Sequence, residues 1–391
     1  MSHFASTAAT GETQMYMNFW YVAAEGRELT DKPMHLKMLG QDFVLFRDSK
    51  GAAHCLSNTC VHRGASLAHG KVKGDNIECP YHGWQFGGAD GVCAKIPSLG
   101  KDGKIPARAK VDSYPVQEKY GLAFCFLGDL PEAERVPIMD IEEWNDPKWR
   151  FTTLAYDWRA DWQRAMENSL DPAHTEFVHP SMGYQGGRED YNVPDLDVVE
   201  HAWGVGTMTK FVSPDLPHEK MKGLKGEGQM EAGSTTWGIG QSVTKLHFSP
   251  VTWAHQYTFT TPVDEHHIKR WFLQGRNFRT DEAMDAPVNE RNMVVVDQDK
   301  QVVTRLEPFF TPASHVEEVM VKADAVIVRF REKLKGYEAQ GWRIDVEKAN
   351  ALRENKAFAI PSPARRTNKG WALDPVPVFG PSAVAAQAAA E

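Results

Sequence analysis

CVHRGASLAHGKVKGDNIECPYHGW, residues 60–84, sets Cys60 and His62 one residue apart and Cys79 and His82 two apart, with sixteen residues between the pairs. Two soft thiolates and two imidazoles at this spacing fit either a structural zinc or an iron–sulfur centre. Zinc fingers group their cysteines in one half and their histidines in the other. Here each half supplies one of each. That suits a [2Fe–2S] cluster in which two thiolates hold one iron and two imidazoles the other. Neutral imidazoles lower the negative charge of such a cluster and raise its potential. Gly64 and Gly83 would let both loops turn tightly around it. Zinc stays open as the alternative reading of these residues.

Outward from this stretch, the 391 residues are too many for one ordinary core, so two domains are expected. A net charge of −8 argues against a general nucleic-acid binder. Five cysteines, an odd number, do not suggest a secreted disulfide framework. Cys55, Cys93 and Cys125 lie outside the metal-like spacing and read as buried strand cysteines. No signal-peptide pattern and no long apolar run is visible, so the expectation is a cytoplasmic protein with no membrane partner.

Residues 1–16 read as a disordered leader. Residues 17–140 read as a β-rich domain of short strands broken by Gly, Pro and Asp, closing in a Pro-rich, acidic connector over 131–149. Residues 141–374 read as a second domain. It opens with a strand at FTTLAYDW and a helix at RADWQRAMENSL, and goes on to several alternating stretches between about Val198 and Phe278 that suggest a large antiparallel sheet. A helix is predicted from Ser314, capped by Ser314 and Glu317, with Val316, Val319, Met320, Val326, Ile327, Phe330 and Leu334 on its apolar face and Gly336 closing it. Residues 375–391 read as a mobile tail. The fold class is therefore α+β.

A carrier of one cluster needs only about a hundred residues, so the rest of the chain has other work. ENSLDPAHTEFVHP, residues 167–180, places Asn168, Asp171 and His174 at every third position and His179 five further on. On an ideal helix His174 and His179 would not share a face. Pro172 and Pro180 suggest an irregular or π-like segment in which both imidazoles could turn toward one ion. Two histidines and a carboxylate form the facial triad of non-haem Fe(II) oxygenases, which leaves coordination positions open. The helical segment VVVDQDKQVVTRLEP offers the carboxylate. Asp299 falls with Val295, Val302, Val303 and Leu306 on an apolar stripe, where a bound metal would offset its burial. Asp297, on the polar face, is the fallback.

With these motifs in this order, the chain resembles the catalytic α subunit of a Rieske non-haem iron oxygenase over most of residues 17–335. The likeness rests on CxHx16CxxH, NxxDxxHxxxxH and the QDxxVV segment. It is nearest to the branch built only of α subunits, the phthalate- and carbazole-type oxygenases and O-demethylases. The resemblance implies an N-terminal all-β Rieske [2Fe–2S] domain followed by a helix-grip (START-like) catalytic domain. It implies that Cys60 and Cys79 hold one cluster iron and His62 and His82 the other. His174, His179 and Asp299 would hold mononuclear Fe(II). Asp171 would be the bridge that links a neighbouring subunit's cluster to His174, within a head-to-tail homotrimer. Asn168 would stand near the iron.

The implied activity is terminal oxygenation of a small aromatic or polycyclic substrate. O2 is the co-substrate, and electrons arrive from NAD(P)H through a reductase, a ferredoxin or both. Oxidative O- or N-demethylation is the alternative, and a pure electron carrier the lesser one. Ser169, Thr175 and Val295 are candidate pocket residues. Trp237, Phe248, Trp253 and Phe259 are aromatic candidates in the sheet region. Lys95, Lys101, Lys104, Arg108 and Lys110 form a basic cluster that could receive an acidic ferredoxin, or simply be solvated.

Overall fold

The computed structural model describes residues 13–180, 186–187, 189, 191–211 and 230–381. They divide into two compact units. The first spans Met15–Asp140 and takes in Phe259–Glu265 and the chain from Lys335 onward. The second holds the described residues of 1–14, 141–258 and 266–334.

In the first unit the strands are short because turn residues interrupt them every few positions. They are β1 (Met15–Tyr16), β2 (Phe19–Glu25), β3 (Met34–Met38), β4 (Gln41–Arg47), β5 (Ala53–Ser57), β6 (Lys71–Lys73), β7 (Asn76–Glu78), β8 (Gln85–Gly87), β9 (Cys93–Lys95), β10 (Ser113–Tyr114), β11 (Val116–Lys119) and β12 (Leu122–Leu127). Three antiparallel sheets result, ordered β11-β12-β2, β10-β5-β4-β3 and β6-β7-β8-β9. Val44, Phe46, Leu56, Ile77, Phe86 and Val111 pack with Cys60 and Cys79 in one apolar core, so both thiols are anchored from below.

The second unit is built on an eight-stranded antiparallel sheet. Its strands are β13 (Arg150–Trp158), β14 (Val198–His201), β15 (Gly204–Thr207), β16 (Thr209–Phe211), β17 (Met230–Trp237), β18 (Gln241–Ser249), β19 (Thr252–Pro262) and β20 (Ile268–Arg276). The order is β13-β20-β19-β18-β17-β15-β14, with β16 beside β17. The stretch TTWGIGQSV is the β17–β18 hairpin, with Gly238 and Gly240 at φ 57° and 75° where the chain reverses. Helix α1 (Trp162–Leu170) packs on β17 and β18 and against α3 (Asp285–Val303). The one-turn α2 (Thr175–Val178) also meets α3. This is the α+β architecture expected, an N-terminal β domain and a large antiparallel sheet gripped by helices.

Four boundaries differ from the expectation. The leader ends earlier than residue 16: residues 1–12 lie outside the described part, but Met15 and Tyr16 are buried and pair with Ile344 and Arg343. The main span of the second unit begins at Ile141, yet the chain from Lys335 groups with the first unit and not with 141–374. The tail is packed as far as residue 381. Val376 is buried and Val378 bridges Ile344, whereas 382–391 lie outside the described residues. In the connector, Val136, Ile138, Met139 and Ile141 are buried, so its apolar positions are not at the surface.

The predicted helix from Ser314 begins instead at Ala325, as α4 (Ala325–Ala339). Val316 and Val319 are 91% and 94% exposed. Ser314 opens only a single 3-10 turn, His315–Glu317; Glu318 then turns inward to Arg164 and Arg331, and the Val321 N–H donates to the Asp324 carboxylate at the start of the turn that leads into α4. Val326, Ile327, Phe330 and Leu334 are buried as expected. Gly336 lies inside the helix, and the chain turns at Gly341, φ 76°.

Candidate active site and its metal centres

The loops after β5 and β7 share one backbone design. In each, a cysteine carbonyl accepts from the glycine four residues on, Gly64 to Cys60 at 2.9 Å and Gly83 to Cys79 at 3.1 Å. In each, the cysteine N–H donates to the next residue along, Cys60 to Ala65 at 2.9 Å and Cys79 to Trp84 at 2.7 Å. Both glycines have left-handed φ, 73° and 69°, which a side chain would disfavour. The result is two buried sulfurs and two exposed imidazoles. The rings of His62 and His82 lie 4.5 Å apart, and Trp84 stacks on His62. Burial pushes the Cys60 thiol up to about 12, although the N–H groups of His62 and Arg63 point at it and pull the other way. Nothing in the protein alone makes this thiol a thiolate, whereas a metal would. The donor set fits a mixed-ligand cluster. Cys55, Cys93 and Cys125 are buried strand residues, as read.

The second constellation forms where α1 ends. Its last turn closes at Asp171, and the chain then makes the single turn of α2 with His174 at its N-cap and His179 at its C-cap. His179 leaves helical geometry (φ −113°, ψ 64°), which turns its ring toward His174. The segment is irregular as expected, but as one short helix and not a π-like end. Asp299 comes from α3. The buried face of α3 runs through Asn292, Val296 and Val303, with Val302 and Leu306 exposed, so the stripe is rotated from the predicted one while Asp299 still faces inward. Asp297 is exposed.

His174 Nε2 and His179 Nε2 lie 3.5 and 3.3 Å from Asp299 Oδ1, and 3.3 Å from each other. Their tautomers follow from the far nitrogens. His174 Nδ1 donates to the Asp171 carbonyl at 2.6 Å, and His179 Nδ1 to Gln298 Oε1 at 3.2 Å. Both Nε2 lone pairs therefore face the same point as a carboxylate oxygen that is buried and has no hydrogen-bond partner. Three acceptors aimed at one point repel unless a cation lies between them, so these residues fit a metal ion. Burial pushes the Asp299 carboxyl up, and hydrogen bonding from the Asn168 amide acts the other way. Asp171, half-buried, is raised by burial; its Oδ1 accepts from the Ala173 N–H, and Oδ2 is 3.8 Å from His174 Nδ1.

These groups line a cavity of about 600 Å3 together with residues of α1, α3 and the sheet. Ser169, Thr175 and Val295 line it, and so do Leu246, Phe248 and Phe272. Trp237, Trp253 and Phe259 do not; Trp237 stacks on His201, Trp253 faces His247, and Phe259 packs on Phe124. Sequence reasoning missed Gln298, whose one signal is adjacency to Asp299. It also missed the polar lining of Gln256, Arg270 and Arg291, which strand periodicity does not mark.

Residues 19–115 match the family described as Rieske [2Fe–2S] domain, and residues 158–340 that described as Vanillate O-demethylase oxygenase C-terminal domain. The iron–sulfur subunit of the toluene-4-sulfonate monooxygenase system of Comamonas testosteroni is 29% identical over 79% of this chain and 92% of its own. A second such subunit, putatively so named, from the same organism is 30% identical with the same coverage. Among solved structures, that of the methylxanthine N1-demethylase of Pseudomonas putida with caffeine superposes with a TM-score of 0.72 at 26% identity, over 83% of this chain and 91% of that one. The matched order of the two domains and the near-complete span of these relatives place the chain among the Rieske non-haem iron oxygenases, as a terminal oxygenase α subunit.

Proposed function

We propose that this oxygenase acts on a small aromatic substrate held in the cavity of about 600 Å3 beside His174, His179 and Asp299. The observation that carries the reading is the convergence of two Nε2 lone pairs and one orphaned carboxylate oxygen on that cavity's wall. In this proposal Cys60, Cys79, His62 and His82 hold the cluster, and His174, His179 and Asp299 hold the mononuclear iron. The family works with a ferredoxin, a reductase or both. When bound, the cluster supplies one-electron transfer and the ferrous ion the activation of O2.

The chain's own residues supply the rest. Asp171 and Gln298 fix the imidazole tautomers, and Asn168 orients the Asp299 carboxylate. Leu246, Phe248, Phe272 and Val295 give apolar contact for a flat ring, and a volume of this size suits one or two rings. Hydroxylation of a C–H bond consumes one O2, two electrons and two protons, leaving a hydroxyl group and water. The electrons come from NAD(P)H.

Oxidative O- or N-demethylation is the second reading. It is supported by the demethylase description of the matched C-terminal family and by the caffeine-bound relative. Oxygen inserted at a methoxy or N-methyl carbon yields a product that releases formaldehyde. Product analysis on paired methoxylated and unmethylated aromatics separates the two readings: formaldehyde in step with O2 uptake supports demethylation, and ring hydroxyls without it support hydroxylation.

His62 and His82 are at the surface, which supports electron transfer between subunits of a head-to-tail trimer. In that assembly the Asp171 carboxylate joins a cluster histidine of a neighbouring subunit to His174. D171N is expected to keep both iron centres and lose about 10- to 100-fold in turnover, the range for such supporting groups. Turnover of the fully metallated variant equal to its parent's would end the proposed wiring. Lys95, Lys101, Lys104 and Arg108 are exposed and suit an acidic electron donor. Lys110 drops out of that patch, since its Nζ donates to the Lys369 carbonyl and lies over Trp371.

A further inference from the structure

Among the described residues three Lys or Arg side chains line the cavity, and two of them are engaged. Arg270 is buried, donates to Ser169 Oγ at 2.9 Å and lies over the Trp158 ring. Lys210 pairs with Glu231 at 3.3 Å. Arg291 differs. It is partly buried in the wall, and among the described residues no carboxylate or hydrogen-bond acceptor reaches its guanidinium. Burial lowers its pKa, with no acidic neighbour to offset the effect. An arginine does not shed its proton, so a cation so placed is satisfied only by water or by an anion that enters the cavity.

Its position adds direction. Arg291, Val295 and Asp299 follow at i, i+4 and i+8 along α3, and all three line the cavity. They share one helix face, and Arg291 lies eight residues, roughly 12 Å of helix rise, from Asp299. Along this face the cavity wall thus passes from Asp299, beside the two histidines, through the apolar Val295 to a free guanidinium.

We propose that Arg291 is the specificity anchor of the substrate site and that the substrate is an anionic aromatic, a carboxylate or a sulfonate. The inference rests on the oxygenase reading above and names its substrate class. The planar fork of a guanidinium matches two oxygens of either group. With the anion held there, the ring lies along Val295, and the carbon nearest His174 and His179 is the one remote from the charged group. A substituent para to the anion is therefore oxidised in preference to one ortho to it.

The test uses the metallated protein and four probes, 4-methylbenzoate, 4-toluenesulfonate and their neutral amides, 4-methylbenzamide and 4-methylbenzenesulfonamide. Affinities are read by calorimetry, independently of turnover. At least one anion should bind ten times or more tightly than its amide, and the pair that shows this tells carboxylate from sulfonate. In R291Q that anion-to-amide ratio should fall at least tenfold, with R291K retaining part of it. A ratio unchanged in R291Q, a preference for the amides, or binding of none of the four would overturn the proposal. Iron and sulfide content is measured on the same samples. Absent mononuclear iron would mark failure of the oxygenase reading itself, whereas intact metal content with no charge preference fails this inference alone.

Discussion

Asp299→Ala is expected to remove one iron per chain and leave the sulfide unchanged. The parent should hold about three irons and two inorganic sulfides, the variant about two and two. The reason is in the geometry. Asp299 is the one carboxylate whose oxygen lies within 3.5 Å of both imidazole nitrogens, and no other described acidic residue joins that group. Asp297, two residues away, points to solvent and offers no substitute. Turnover should fall by more than the 10–100-fold typical of a lost supporting group, since a ligand itself is gone. His179→Ala should do the same. Cys60→Ser should give the opposite pattern, with loss of the cluster's iron, sulfide and colour. An Asp299→Ala protein that retained three irons per chain would sink the assignment of the triad.

Much of this site was legible because its chemistry is local in sequence. The two cysteine loops differ only in whether the histidine stands two or three residues after the cysteine, and the glycine four residues on closes the same turn in both. Asn168, Asp171, His174 and His179 lie within one short segment. Asp299 was reachable only through the burial cost of a carboxylate among apolar neighbours. That argument reached the carboxylate that lies beside both imidazoles, but from a stripe that is rotated in the structure, where Val302 and Leu306 are exposed.

What stayed hidden depends on partners far away in the chain. Val316 and Val319 have helical spacing yet face solvent, because Glu318 between them is taken up by two arginines. Met15 and Tyr16 look like the end of a loose leader until Arg343 and Ile344 supply the strand that pairs with them. Arg291 is ordinary in sequence. Its meaning lies in what does not surround it, which no local pattern reports.

Glu167→Ala is expected to cost about 3–5 kcal/mol of stability, the range for removing one member of a buried ion pair. Glu167 accepts from both Nε and Nη2 of Arg331, at 2.7 and 2.6 Å, with side chains 8% and 6% exposed. Arg331 also pairs with Glu318, and Glu318 with Arg164 on α1, which makes a chain of two cations and two anions. Burial works against the Arg331 charge, but Glu167 and Glu318 outweigh it and hold its pKa above the usual arginine value. Without Glu167 the guanidinium loses its two-pronged partner and stays charged in the interior. At about 2–4 °C per kcal/mol for a unit of this size, the melting temperature should drop by roughly 6–20 °C. Removing both charges in E167M/R331M should recover most of that loss, because the buried guanidinium that lost its two-pronged partner is gone as well, while Glu318 keeps Arg164. Glu167 immediately precedes Asn168 on α1, and this network fixes the helix that delivers Asn168 and Asp171 to the side of His174, His179 and Asp299. The single variant, cold and folded, should therefore still bind iron and yet release it at a lower temperature than its parent. A melting temperature within about 2 °C of the parent's would show that this network does not hold the helix in place.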